Sequence, residues 1–136
     1  MKVGEKIAVS GKRKRSVARA LIYKGEGKAS VNKVPYELMP SLMRLMIEEP
    51  LRIARDKLGN LDYDIEVNVK GGGREAQIEA ARLAIARALV SATKSRELRK
   101  AFLDYDRNLI VADTRRKETR KPGDSKARAM RQKSYR

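Results

Sequence analysis

The groups in this chain with chemical potential are cations and backbone donors, not nucleophiles. Gly71, Gly72 and Gly73 stand in a row directly before a long alanine-rich run, with Lys70 on one side and Arg74 on the other. Free backbone N–H groups and the dipole at a helix N-terminus favour an anion at such a place, phosphate above all. The spacing is neither that of the P-loop nor that of the dinucleotide turn G-x-G-x-x-G, so it gives little support to a nucleotide site. Two readings stand. A tight strand-to-helix turn needing positive φ accounts for at least one glycine. Three in a row exceed what a turn needs, which leaves room for the close approach of a partner's backbone.

Two further groups carry positive charge. Lys12, Arg13, Lys14 and Arg15 follow Gly11, with Arg19 a few residues on. Near the other end come Arg115, Arg116, Lys117, Arg120, Lys121, Lys126, Arg128, Arg131, Lys133 and Arg136. The 136 residues have 33 Lys+Arg against 17 Asp+Glu, a net charge of +16. Residues 1–20 contribute +6, residues 21–113 only +2 and residues 114–136 fully +8. A nearly neutral middle with basic ends fits a polyanionic partner, because each phosphate neutralised releases condensed counterions.

The composition also excludes chemistry. Cysteine and histidine are absent, which removes disulfides, thiolate ligands, the cysteine nucleophile and the commonest general base and zinc ligand. Glu48, Glu49, Asp62 and Asp64 cluster in sequence, but no base or metal-ligand pattern accompanies them, so they read as surface charge. No apolar run approaches a membrane span, and the first residues lack the apolar centre of a secretory signal. The expectation is a cytoplasmic protein without cofactor, metal or catalytic residues.

The elements that position these groups are a sheet and helices. Residues 5–10 and 17–23 read as strands flanking the basic cluster, with Val17, Arg19, Leu21 and Tyr23 alternating against Ala18, Ala20 and Ile22. Gly25-Glu26-Gly27 signals a hairpin to a partner strand over 28–34, which turns Ala29, Val31 and Val34 to a core. Helices are expected over 41–48, with Ser41 as N-cap, and over 51–58, with Pro50 in the first turn. Met39, Met43 and Met46 read as core filler, not a binding groove. Gly59-Asn60 ends that region.

Residues 63–70 form the clearest strand, with Tyr63, Ile65, Val67 and Val69 on the inner face. The helix over 74–92 carries one stripe of Ile78, Ala81, Ile85, Ala88, Leu89 and Ala92, with Glu79 and Arg82 spaced to pair. A helix over 95–105 buries Leu98, Phe102 and Tyr105, and Leu109-Ile110-Val111 is a short strand or packed strip. Only Met130 and Tyr135 are sizeable apolar groups beyond Thr114, so this stretch cannot order itself by burial.

Gly71-Gly72-Gly73, Ala76-Gln77, Ala80, Ala84 and Arg87-Ala88-Leu89 together resemble the signature of the universal small-subunit ribosomal protein family S-nine, called S-sixteen in eukaryotes. The resemblance runs on through Gly11-Lys12-Arg13-Lys14, Ala18-Arg19, Leu98-Arg99-Lys100-Ala101, Asp113, Arg115, Glu118, Lys126-Ala127-Arg128 and Gln132, and so covers essentially the whole chain. It implies an α+β fold, a small mixed sheet on helices with a left-handed β-α-β crossover, over residues 1–113. An extended basic tail would follow over 114–136. It further implies a structural, non-enzymatic role in the head of the small subunit, on the 3′ domain of its rRNA and among neighbouring head proteins.

The rRNA contacts expected are Lys12, Arg13, Lys14, Arg15, Arg19, Lys70, Gly71, Gly72, Gly73, Arg74, Arg115, Arg116, Lys117, Arg120, Lys121, Lys126, Arg128 and Arg131. The family's extreme C-terminus meets peptidyl-site tRNA, which places that contact on Lys133, Ser134, Tyr135 and Arg136. Bacterial members end in serine-lysine-arginine. The ending here looks like the archaeal and eukaryotic branch, with Tyr135 in the place of the lysine, either to stack on a base or ribose or to pack along the tail's path. The alternative from another class is an RNA-processing cofactor of the ribonuclease P protein type, which would stimulate turnover of precursor tRNA. A DNA-architectural protein would need a wedge or a basic recognition helix, and the main helix is balanced in charge.

Overall fold

The computed structural model describes residues 5–135. Its strands are β1 (Ile7–Arg13), β2 (Ser16–Lys24), β3 (Ala29–Val31), β4 (Val34–Pro35) and β5 (Tyr63–Lys70). Its helices are α1 (Ser41–Leu58), α2 (Arg74–Thr93) and α3 (Arg96–Tyr105), with 3-10 turns at Tyr36–Leu38 and Arg107–Leu109. The fold is α+β: one five-stranded mixed sheet, ordered β1-β2-β5-β3-β4, packed against three helices. β1, β2 and β5 are antiparallel neighbours, whereas β3 and β5 run parallel and are joined through α1 as a β-α-β unit.

The alternation in β2 and β5 sorts their side chains to two faces. Ala18, Ala20, Ile22, Ile65, Val67 and Val69 are buried, while Arg19, Glu66, Asn68 and Lys70 stand on the uncovered face. α2 lies on the buried face, and α1 and α3 pack against α2. The single stripe expected for α2 is too narrow. Ala76, Ala80, Leu83, Ala84 and Ala86 are buried as well, because α2 is enclosed between the sheet and the other helices. The closeness of that packing shows at Gly11, where an added Cβ would sit 2.4 Å from the carbonyl oxygen of Ala80.

Several expectations are corrected. Strand 28–34 does not pair with β2; β5 inserts between them, and Asn32 (φ 50°) and Lys33 (φ 69°) break the stretch into β3 and β4. Val34 is 43% exposed as a result. The turn after β2 is instead anchored on β5, where Asp64 Oδ1 accepts from the N–H groups of Glu26 and Lys28, each at 2.9 Å. α1 runs unbroken through Pro50, whose buried ring packs in the core and whose missing N–H costs one helical bond. Pro40, not Ser41, occupies the N-cap position. Gly59 ends α1 at φ 79°. Ser95 caps α3 by accepting from Leu98 N–H at 3.2 Å, but Tyr105 is 59% exposed and leaves Leu98 and Phe102 to hold the helix. Leu109 belongs to a 3-10 turn.

Both sheet edges are partly blunted. β4 has two residues, one of them Pro35. At β1, Arg87 reaches over to donate from Nη1 to the Ser10 carbonyl at 3.0 Å. No described helix is long and apolar enough to cross a membrane.

Candidate nucleic-acid interface

The basic cluster is a hairpin. β1 extends as far as Arg13, Lys14 and Arg15 make the turn with Lys14 at φ 51°, and Ser16 starts β2. Register then decides which cations share a face. Val17 pairs with Lys12 on one side and Lys70 on the other, and Arg19 pairs with Ser10 and Asn68 in the next row. Lys12, Arg19 and Lys70 therefore stand together at one end of the uncovered face, all exposed. The far end of that face is acidic. There Tyr23 donates to Glu66 Oε1 at 2.8 Å, a bond that raises its pKa, and Lys6 lies over its ring. The three cations favour an anion at their own end of the face.

The glycine turn packs against the same hairpin. Gly71 and Gly72 have φ of 78° and 67°, and an added Cβ would lie 2.7 Å from the Arg15 carbonyl and 2.1 Å from Ser16 Oγ respectively. The Ser16 hydroxyl, fully buried, donates to the Gly71 carbonyl at 2.8 Å, and Gln77 Nε2 donates to the same oxygen at 3.1 Å. Turn geometry thus accounts for two of the three glycines. Gly73 is different: its φ is −104°, and nothing would meet a Cβ there within 4 Å. It is the N-cap of α2, and no side chain caps that helix. The first N–H groups of α2 accordingly lack an intrahelical acceptor. Arg74 is exposed beside them.

The start of the C-terminal stretch comes to this place too. Arg82 donates to Asp106 at 3.0 Å and pairs with Glu49 at 2.5 Å. Arg87 Nε donates to the Ile110 carbonyl at 2.8 Å. Arg13 bonds both Glu79 and Asp113. These arginines fasten residues 106–113 along α2 and β1, and the expected pairing of Glu79 with Arg82 is replaced by these longer-range ones. Asp113 also accepts from the Arg115 backbone N–H at 2.8 Å and from its guanidinium at 2.8–2.9 Å. Arg115, then its N–H, then Arg13 hold the Asp113 carboxyl well below the ordinary carboxylate range. Glu79 first, and Asp113 after it, raise the pKa of Arg13.

The expected contacts fall into two sets, with Arg115, held on Asp113, between them. Lys12, Lys14, Arg15, Arg19, Lys70, Gly71, Gly72, Gly73 and Arg74 gather at this end of the sheet. Arg13 belongs to it as a fastener, its side chain only 18% exposed and turned toward Glu79 and Asp113. Arg116, Lys117, Arg120, Lys121, Lys126, Arg128, Arg131, Lys133, Ser134 and Tyr135 lie on an exposed stretch without helix or strand. Within it Arg128 pairs with Glu118 at 3.0 Å, and Asp124 accepts from the Arg131 N–H at 3.1 Å. Arg136 lies outside the described residues. Periodicity assigned no role to Ser16, Gln77 or Asp113. Ser16 carries no signal of burial, since it follows four cations; Gln77 and Asp113 stand out only as motif positions.

Among the described residues no group of three or more carboxylates is placed to hold a metal. Asp64 and Glu49, read as surface charge, instead anchor a turn and an arginine.

The sequence profile described as "Ribosomal protein S9/S16" matches residues 11–136. The small ribosomal subunit protein uS9 of Methanococcus vannielii is 46% identical over 129 residues, covering 93% of this chain and 95% of its own. That of Thermoplasma volcanium is 47% identical over 131 residues, covering 96% and 98%.

Proposed function

The chain belongs to the ribosomal protein S9/S16 family, and from that premise we propose that it is a structural, non-enzymatic constituent of the small ribosomal subunit that holds rRNA at the hairpin end of its sheet. Residues 114–136 form an extended arm on RNA, and its last residues, from Lys133 to Arg136, reach the peptidyl-site tRNA. The observation that carries this reading is convergence. Three basic segments far apart in sequence meet at one place, through Ser16 on Gly71 and through Asp113 between Arg13 and Arg115. Cations there and in the arm position phosphates, while the uncapped start of α2 offers N–H groups at the same end. With one Phe and five Tyr in the chain, specificity comes from RNA shape more than from base stacking.

The test is salt dependence of binding to small-subunit rRNA, with the full chain and with residues 114–136 removed. The deletion takes away ten cations and two carboxylates. At about 0.7–0.9 per phosphate neutralised, the slope of log K against log salt should fall by at most about 6–7. An unchanged slope would remove the arm from the RNA interface. Removing Ser134, Tyr135 and Arg136 alone should leave subunit assembly intact and weaken peptidyl-site tRNA retention; retention unchanged at several salt concentrations would sink the tRNA assignment.

A further inference from the structure

The uncovered face of the sheet changes character from one end to the other. Its cross-strand rows are Lys12, Val17 and Lys70, then Ser10, Arg19 and Asn68, then Ala8, Leu21, Glu66 and Ser30. Two shallow hollows adjoin on it. The first, about 290 Å³, lies between Val17, Arg19, Asn68 and Lys70. The second, about 530 Å³, shares Arg19 and Asn68 and continues over Leu21 to Ser30, Lys33 and Glu66. Among the described residues Glu66 is the one carboxylate lining it, and the Tyr23 hydroxyl, donating to Oε1 at 2.8 Å, fixes its orientation. The Arg19 guanidinium and the Asn68 amide have no hydrogen bond or ion pair with any described residue. Lys70, Asn68 and Glu66 follow one another at every second residue of β5, roughly 7 Å apart.

We propose that this face holds one unpaired guanosine of the rRNA, with its phosphate against Lys70 and Arg19, its ribose at Asn68 and its base over Leu21, the Watson–Crick edge on Glu66. The proposal rests on the ribosomal reading above and deepens it, since cations at the hairpin end position phosphates but read no base. Cation, amide and carboxylate stand along β5 in the order in which a nucleotide presents phosphate, sugar and base. The nucleotide is unpaired, because a duplex would hide its Watson–Crick edge and set phosphates against Glu66. Sequence-specific readout of RNA uses such splayed-out bases. The carboxylate then selects the base. It only accepts, and the Tyr23 hydroxyl takes one of its about four lone-pair sites. Guanine offers N1–H and an N2 hydrogen side by side. Adenine and cytosine place an acceptor nitrogen beside their amino group, and uracil flanks its one N–H with two carbonyls, so each repels a carboxylate oxygen. Leu21, 38% exposed, supplies an aliphatic floor in place of an aromatic ring. A protein segment fits less well: an acidic one is repelled by Glu66, and a basic one by Lys12, Arg19 and Lys70.

The experiment probes small subunits assembled with the full chain, using kethoxal, which adds to N1 and N2 of unpaired guanine. One guanine protected by the unaltered chain should become at least about fivefold more reactive with Glu66→Gln, the low end for one bidentate base contact. Asp56→Asn, which removes a carboxylate from the exposed surface of α1, should leave that guanine protected. The photo-cross-linker p-benzoylphenylalanine in place of Ala8, at the rim of the second hollow, should join the same nucleotide or its immediate neighbour. The proposal is overturned, and the functional reading left standing, by any of three results: no guanine whose protection depends on Glu66, one that Asp56→Asn exposes equally, or a cross-link to protein or paired RNA. A chain that never enters small subunits overturns the functional reading itself, and this inference with it.

Discussion

Replacing the three consecutive glycines one at a time should separate geometry from binding. At Gly72, alanine must adopt φ 67° and its Cβ would meet Ser16 Oγ at 2.1 Å. A left-handed backbone costs about 1–2 kcal/mol. Forcing the Ser16 hydroxyl off the Gly71 carbonyl adds about 1–3 kcal/mol for a buried group left unpaired. Gly72→Ala should thus destabilise by about 2–5 kcal/mol, or about 10–20 °C in Tm for an ordered part of this size. At Gly73, φ is −104° and the space is open, so alanine should shift stability by no more than about 1 kcal/mol, its gain through the unfolded chain offset by a poorer N-cap. Gly73→Val keeps the fold but places a branched side chain over the start of α2, and should weaken rRNA binding about tenfold, ~1.4 kcal/mol. Thermal melting by circular dichroism and filter binding at fixed salt read the two effects separately. If Gly73→Ala melts as low as Gly72→Ala, the geometric assignment is wrong. If Gly73→Val melts normally and binds normally, Gly73 is not a place of close approach for RNA.

Asn32 links β3 to β5 by accepting from Val69 N–H at 2.8 Å and donating to its carbonyl at 3.3 Å, from a left-handed backbone. Asn32→Ala should cost about 2–3 kcal/mol, visible as an earlier urea midpoint with an unchanged m-value. Asp113→Asn should cost the same stability that protonating the carboxylate costs and free residue 115 onward, seen as several-fold faster tryptic cleavage after Arg115; equal cleavage rates would show that the clasp is idle. The Asp113 carboxylate is held low, so the stability it lends is fully present above its ordinary value of 3.8 and is lost only as pH falls from there through the lower folded value. With no histidine in the chain, rRNA affinity should be flat between pH 6 and 8, and a titration in that window would point to a group not considered above.

How much of this could be read from the sequence depends on how local the cause is. The alternation of Ile65, Val67 and Val69 and the stop at Gly59 are local, and they appear as expected. The pairing of β3 with β5 is not local: Gly25-Glu26-Gly27 looks like a hairpin turn, and only the β-α-β unit built through α1 puts β5 in between. Pro50 looked like a boundary because the sequence does not show that its ring would be buried. At the interface, the cations of the hairpin and the arm were visible as charge, but their sign could not say that Arg13 turns inward to Glu79 and Asp113. A third glycine in excess of the turn was visible by count; which of the three it is required φ.

The two sheet edges have a consequence for the time before any partner is present. Exposed strands invite other copies to add to them, and a domain with an unpaired edge is prone to polymerise at high concentration. Here one edge ends in Pro35 after a single residue, and the other has the Ser10 carbonyl occupied by Arg87. The same guanidinium holds Ile110, so one side chain both fixes residues 106–113 on the fold and blunts the longer edge strand at its middle. Arg87→Ala should therefore raise self-association of the free chain, read as a concentration-dependent rise in light scattering; an unchanged signal would show that the Ser10 contact does not guard the edge.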